Sequence, residues 1–125
     1  MATKQINLPN IPQGWFMTWT FATQATYNIC VTLADNKTTY VNNVCRANSS
    51  FGISAEGFQQ VAGSNLTLTI TVASADTLQT VLIPYSVPNT SGDNVGFGYN
   101  LLLEDSTDND FNDLFGSIVA WQSSG

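Results

Sequence analysis

Alternation of apolar and polar residues is the strongest pattern along this chain. Residues 66–72, LTLTITV, alternate strictly. A β-strand with one buried and one solvent-facing side requires this period, because successive side chains point to opposite faces. Residues 15–21 alternate in the same way, with Trp15, Met17, Trp19 and Phe21 on one side, and residues 27–33 are rich in strand-forming types. We therefore predict strands here and assign the aromatic side of 15–21 to the core.

Further strands are predicted by the same criteria at 38–45, 58–62, 78–84, 95–103 and 114–121. Clusters of Gly, Pro, Asn, Asp and Ser separate them at intervals of about 8–12 residues, which is typical of a β-sandwich or barrel rather than of βαβ units. The stretch 88–94, PNTSGDN, is predicted to be a loop. Since 125 residues fit one domain, we predict a single all-β domain over residues 1–125.

Charge composition narrows the function classes. Nine Asp and Glu face only three Lys and Arg, for a net charge of −6, so nucleic acid and acidic membrane surfaces would be repelled. No apolar run approaches the roughly 18 residues of a membrane span, so membrane insertion is not expected. The chain has no His, which removes the commonest general base and the commonest transition-metal ligand.

Two features bear on the cellular compartment. Residues 1–9 lack the apolar segment of a signal peptide, which predicts a cytoplasmic protein, or one exported by a route without a cleaved signal. Cys30 and Cys45 flank a predicted hairpin turn at residues 34–37. They either form a disulfide between neighbouring strands or are two small buried side chains in a reducing compartment, and the sequence leaves both open.

An acidic segment carries the candidate chemistry. Five of the nine carboxylates lie within ten residues, with no Lys or Arg among them, at Glu104, Asp105, Asp108, Asp110 and Asp113. A solvated acidic turn is the ordinary interpretation of such a run. Here the carboxylates repel one another without a local cation, Asn109 and Asn112 add neutral oxygens, and apolar strands hold both ends. The segment therefore favours a hard cation over a bare turn.

Calcium fits this set of donors better than magnesium, because Ca²⁺ accepts six to eight oxygens in a flexible geometry. The spacing from Asp108 resembles the start of an EF-hand, but Asp113 and Val119 occupy the positions of its Gly and Glu, which excludes that motif. The side chains of Glu104, Asp108, Asp110 and Asp113 together carry −4, which balances two Ca²⁺. We therefore predict two adjacent ions that share carboxylates.

The segment 104–113, EDSTDNDFND, resembles the calcium loop of the small fucose- and mannose-binding bacterial lectins, the family typified by the Pseudomonas fucose lectin. Eight of the ten positions fit the family pattern EDGTDNDYND. Weaker likeness is found in the first three residues, in Leu8-Pro9 and in Phe21-Ala22. The resemblance implies an antiparallel β-sandwich of about nine strands with Greek-key connections, in which two calcium ions bind the sugar directly.

The resemblance also implies site residues by position. The implied calcium ligands are Glu104, Asp108, Asp110, Asn112, Asp113, the main-chain carbonyl of Thr23, and the carboxylate of Gly125 from a neighbouring subunit, with Asp110 and Asp113 bridging. The implied sugar contacts are Asp105, Asp108, Asp110, Asp113, Gln24, Ala25 and Ser106. Ser106 replaces a family Gly and Gln24 replaces a smaller residue, so both would adjust sugar preference. A donated chain end implies a homodimer or homotetramer.

Three hypotheses follow. The first is a non-enzymatic, calcium-dependent lectin for fucose- or mannose-type glycans. The second is a glycoside hydrolase that uses paired carboxylates of the same loop. It is disfavoured because bound calcium depresses carboxylate pKa values and removes the general acid. The third is a structural module in which calcium only makes a loop rigid.

Overall fold

The computed structural model describes residues 1–104 and 113–123. Within these residues 71% lie in strands and none in a helix, which confirms the all-β prediction. Accordingly, no helix that could span a membrane occurs there. The seven strands of these two ranges are β1 (Ala2–Asn7), β2 (Phe16–Ala34), β3 (Thr39–Gln60), β4 (Thr67–Val72), β5 (Gln79–Pro88), β6 (Asn94–Glu104) and β7 (Leu114–Trp121).

Two of the strands are longer than predicted. The segments 15–21 and 27–33 belong to the single 19-residue strand β2, and 38–45 and 58–62 to the 22-residue strand β3. Pairing between β2 and β3 continues along the whole length, with shifts of register such as the one between Thr23 and Ala25. Such irregularities let a strand bend without losing its partner. Each long strand therefore replaces two of the shorter strands expected from the sequence.

The bend of β2 joins two halves of one antiparallel sheet. Its first part, Phe16 to Thr23, pairs with β7, and its last part, Cys30 to Ala34, pairs with β4. The strand order is β1-β4-β2-β7-β6-β5, with β3 also paired to β2, and the sheet curls into a half-barrel. Neighbours in the sheet are thus often distant in sequence, as Greek-key connections require.

The core fills the inside of this curled sheet. Met17, Trp19 and Phe21 are buried on the inner side of β2, which confirms the core assignment of the aromatic segment. Alternate residues of β4, Leu68, Ile70 and Val72, are also buried. This inward packing is the reason that the two-residue period of the sequence survives in the structure.

The structure decides between a disulfide and two free thiols at Cys30 and Cys45. Cys30 and Cys45 are directly opposite each other in the β2–β3 pair and form a disulfide. The bond lies beside the turn that joins the two strands, so the end of this hairpin is covalently closed.

Candidate functional site

The candidate site lies at the end of the sheet where β6 meets β7. Leu103 pairs with Leu114, so Glu104 and Asp113 face each other at the two sides of the segment 105–112. The Asp113 N–H donates a hydrogen bond of 3.2 Å to the Leu103 carbonyl oxygen. The strand pairing itself therefore brings together two of the predicted calcium ligands.

Both acidic side chains are withdrawn from solvent. Glu104 is 0% exposed and Asp113 is 9% exposed. A buried carboxylate is costly unless its oxygens are hydrogen-bonded, paired with a cation or bound to a metal. Ionised carboxylates in such a low-dielectric environment attract a dication more strongly than carboxylates at an open surface.

Strand β2 supplies the neighbouring residues. Thr23 pairs with Leu114, and the Gln24 N–H donates a hydrogen bond of 3.1 Å to the Asp113 carbonyl oxygen. Thr23 is buried, the Gln24 side chain is exposed and Ala25 is buried. Thr23 and Gln24 thus lie within β2, next to the acidic end of the sheet.

A polar cluster that sequence analysis missed supports Thr23. Asn48 Nδ2 donates a hydrogen bond of 2.5 Å to Thr23 Oγ1, which also lies 3.2 Å from Ser54 Oγ. Ser54 is buried too. The cluster fixes β2 where its register against β3 shifts, and hence fixes the Thr23 backbone beside Asp113. Residues 46–57 were not predicted to be a strand, so no sequence signal placed Asn48 or Ser54 here.

The remaining predicted site residues lie outside the described part of the chain: Asp105, Ser106, Asp108, Asp110, Asn112 and Gly125. Within residues 1–104 and 113–123, no three His, Cys, Asp or Glu side chains form a group that could hold a metal ion. The predicted ligands within the described residues, Glu104, Asp113 and Thr23, offer oxygen donors alone. Such donors suit Ca²⁺ rather than zinc or copper.

A second acidic residue, Asp35, has a different environment in the β2–β3 turn. Its carboxylate accepts hydrogen bonds from the N–H groups of Lys37, Thr38 and Gly63, at 2.8, 2.8 and 2.9 Å, and from the Tyr40 hydroxyl. Burial raises the pKa of Asp35, but these hydrogen bonds outweigh burial and leave its pKa below 3.8. Burial and the Asp35 contact raise the pKa of Tyr40 to about 12. Asp35 is thus a structural carboxylate.

Comparison with known proteins identifies the fold. No protein-family model matches the chain, and no curated protein matches it by sequence. Three solved structures of bacterial lectins share the fold, each with a TM-score of 0.63. The high-affinity mannose-binding lectin of Ralstonia solanacearum is 15% identical, and the alignment covers 92% of this chain and 93% of that one.

The other two lectin structures match the chain at similar identity and coverage. The C-terminal domain of the BC2L-C lectin of Burkholderia cenocepacia is 14% identical, with 94% of this chain and 93% of that chain covered. The Chromobacterium violaceum lectin CV2L, solved in complex with α-methyl-fucoside, is 16% identical, with 94% of each chain covered. The chain therefore has the fold of these bacterial lectins over nearly its whole length.

Proposed function

We propose that this protein is a calcium-dependent lectin whose sugar site lies at the end of the β6–β7 hairpin. The observation that carries the proposal is the placement of two buried carboxylates, Glu104 and Asp113, on either side of an oxygen-rich segment without Lys or Arg. The lectin fold supports the same function. Because the carboxylates are used as metal ligands, the protein acts by binding and not by catalysis.

Two calcium ions would be held by the predicted ligands of this end of the sheet. Glu104, Asp113 and the Thr23 carbonyl would contribute from the strands, Asp108, Asp110 and Asn112 from the segment between them, and Gly125 from a second copy of the chain. Bound calcium would supply positive charge to which adjacent sugar hydroxyl oxygens bind in place of water. The carboxylates would accept charge-assisted hydrogen bonds from these hydroxyls. These bonds would let the sugar compete with solvent.

Fucose- or mannose-type sugars are the proposed ligands. A pair of ions discriminates by stereochemistry, because only adjacent hydroxyls in the right orientation reach both. Two of the lectins that share the fold are described as mannose-binding or were solved with a fucoside, which supports this class. Gln24, whose side chain is exposed and whose N–H is bonded to the Asp113 carbonyl oxygen, would contact the ring together with Asp105 and Ser106 and adjust the preference. The predicted contact at Ala25 is not proposed, because Ala25 is buried in the core.

Titration calorimetry with methyl α-fucoside, methyl α-mannoside and methyl β-galactoside, with and without a chelator, tests the proposal. We expect chelation to abolish binding of the preferred sugar at the end of the β6–β7 hairpin. Asp113→Asn should weaken that binding by roughly 30-fold or more, since removal of one charge from a buried ionic site costs about 2 kcal/mol or more. Asp93→Asn, at an exposed position in the β5–β6 loop, is the matched control and should bind normally.

Other outcomes would favour the alternatives. Calcium that stabilises the fold while no sugar binds would indicate the structural module. Turnover of an aryl glycoside would indicate the hydrolase. Sugar binding at this end that persists unchanged in chelator would contradict the role of calcium.

The proposed assembly is a homodimer, formed by the outer face of β3, β2, β7, β6 and β5. One row across this face consists of Phe58, Thr18, Val119, Gly98 and Tyr85, and Phe58 is 83% exposed. A face of five strands measures about 24 by 24 Å, so two copies packed face to face would bury about 1,200 Å² in total. That area reaches the lower limit of specific interfaces.

Light scattering after size-exclusion chromatography tests this assembly. Phe58→Ser should shift the protein towards the monomer. Gln59→Ser, which changes the adjacent exposed residue on the opposite side of β3, should not. A wild-type protein that is monomeric at all concentrations would contradict the proposed dimer.

A further inference from the structure

The opposite end of the half-barrel contains a cavity that the proposed calcium site does not use. Strand β6 runs from Asn94 to Glu104, so its first residue lies about 34 Å from the acidic end. There a shallow cavity of about 430 Å³, open to solvent, is lined by Asn10, Ile11, Pro12, Trp15, Asn94 and Phe97. We call this cavity the mouth site. Its volume is within the range of small-molecule sites, which often occupy the mouths of β-barrels.

The chemistry of the lining indicates the class of ligand. Trp15 and Phe97 contribute aromatic surface, and Asn10 and Asn94 contribute amides that can donate and accept hydrogen bonds. An adjoining cavity of about 610 Å³ shares Asn10 with the mouth site and adds Asn7, Gln13, Ser64 and Asn65 to the polar lining. No lining residue of either cavity carries a charge.

An uncharged lining disfavours ionic ligands, since an ion would lose its hydration without a counter-charge. A purely apolar ligand would leave the amides without partners. A saccharide ring satisfies both requirements, because its C–H face packs on an aromatic ring while its hydroxyls meet amides at the rim. The mouth site offers both kinds of contact, with aromatic rings from Trp15 and Phe97 and amides from Asn10 and Asn94.

The backbone around the mouth site is held in place before any ligand binds. The Tyr99 hydroxyl donates a hydrogen bond to the Pro9 carbonyl oxygen, and the Leu8 N–H donates to Leu66 at 2.9 Å. The Val61 N–H donates to the Trp15 carbonyl oxygen at 2.8 Å. These contacts tie residues 8–15 to three other parts of the sheet, so binding would require little ordering.

Asn10 has an unusual backbone conformation. Its φ is 73°, in the left-handed region that Asn tolerates better than most residues but that favours Gly. A Gly at this position would hold the backbone equally well, and the amide of Asn10 is therefore not needed for the turn. The Asn10 side chain also hydrogen-bonds to the Tyr99 side chain, which holds the amide at the edge of the mouth site.

We infer that the mouth site is a second saccharide-binding site that needs no metal ion. Its ligand class follows from its own lining and does not depend on the proposed calcium site. One chain would then bind glycans at two opposite ends and could cross-link them without forming an oligomer.

The test uses ¹H–¹⁵N NMR on the wild-type protein in excess chelator, with methyl β-galactoside as the probe. We expect the Trp15 indole N–H and the Asn10 and Asn94 side-chain amides to shift on titration, with a dissociation constant of about 1 to 10 mM, because water competes for every hydroxyl. The Trp121 indole, on the outer face, should not shift. The proposal would be overturned if no resonance shifted at sugar concentrations up to 100 times the expected dissociation constant. It would also be overturned if the Trp15 and Trp121 indoles shifted equally.

Matched variants assign the binding to the cavity. Asn10→Gly should weaken binding about fivefold or more, whereas Asn43→Gly, the same change at another Asn with positive φ, should not change it. Trp15→Leu keeps an apolar side chain but removes the aromatic face and should also weaken binding. Equal affinities in all three proteins would overturn the proposal.

Two further arms separate the mouth site from a general apolar cavity and from the calcium site. Cyclohexanol that shifts the same resonances as strongly as the sugar would overturn the saccharide assignment in favour of a general apolar cavity. Asp113→Asn should leave the chelator-resistant binding intact, which supports the mouth site even if calcium-dependent binding is absent. Loss of both activities in Asp113→Asn would overturn the independence of the two sites.

Discussion

The β2–β3 turn and the end of the β6–β7 hairpin both contain acidic residues, but in different surroundings: Asp35 is half-buried, whereas Glu104 and Asp113 are buried. Asp35 receives three backbone N–H groups and the Tyr40 hydroxyl, and the Cys30–Cys45 disulfide closes the same hairpin. Glu104 and Asp113 flank a segment with more carboxylates and no Lys or Arg.

The surroundings of an acidic residue in a turn indicate whether it has a structural role or binds a ligand. Where nearby N–H groups can reach the carboxylate, the acid is part of the fold and needs no ligand. Where several acids meet at the end of two apolar strands, negative charge accumulates and a cation becomes the natural partner. The first region should therefore be insensitive to calcium, and the second should depend on it.

The disulfide should have the largest effect on stability. Replacing Cys30 and Cys45 by Ser should lower the free energy of unfolding by about 3 kcal/mol, since the bond closes a loop of 15 residues. Urea denaturation in chelator measures this change, and the reduced wild-type protein is the control. Calcium affinity should remain that of the wild type. A parallel loss of calcium affinity would show that the two regions are not separate.

Calcium should stabilise the β6–β7 end by a similar amount. Each bound ion, at a free concentration 100 times its dissociation constant, should add about 2.7 kcal/mol to the wild-type free energy of unfolding. Glu104→Gln, which keeps the shape but removes the charge, should lose most of this gain, whereas Asp35→Asn should keep it. Thermal unfolding with and without calcium distinguishes the two variants. Equal stabilisation of both variants by calcium would contradict the proposed difference between the two regions.

A smaller effect is expected at Tyr40. Tyr40→Phe removes the donor to Asp35 and also the acceptor of the Ala62 N–H, which lies 2.9 Å from the hydroxyl oxygen. We expect a loss of about 1 kcal/mol in urea denaturation, because each hydrogen bond contributes modestly and the group is partly solvated. Tyr85→Phe, on the outer face, is the control and should change stability less. Equal losses would contradict the role of the Asp35 network.

The smallest effect is the pH dependence of Asp35. Because its pKa is lowered in the folded chain, the charged carboxylate adds stability above pH 3.8, and this contribution is lost as the pH falls through the folded pKa. The stability advantage of the wild type over Asp35→Asn should be largest near neutral pH and should shrink as the pH falls through the folded pKa. Urea denaturation in chelator over this range tests it. A difference that grows towards acid pH would have the wrong sign.

Local patterns in the sequence predicted much of the fold. The strand predicted at 114–121 matches β7, and that at 66–72 matches β4 within one residue. Alternation identified both, since burial on one side of a strand imposes a two-residue period. The acidic segment could also be identified from the sequence, because its carboxylates lie close together along the chain.

How distant segments meet depends on the tertiary structure and could not be predicted from the sequence. The pairing of Cys30 with Cys45, the continuity of β2 and β3, and the approach of Asn48 and Ser54 to Thr23 depend on strand register and bulges, which no local pattern encodes. The mouth site likewise joins Trp15 to Phe97, which are far apart along the chain. A period of two residues fixes which side of a strand is buried, but the choice of partner depends on packing over the whole sheet.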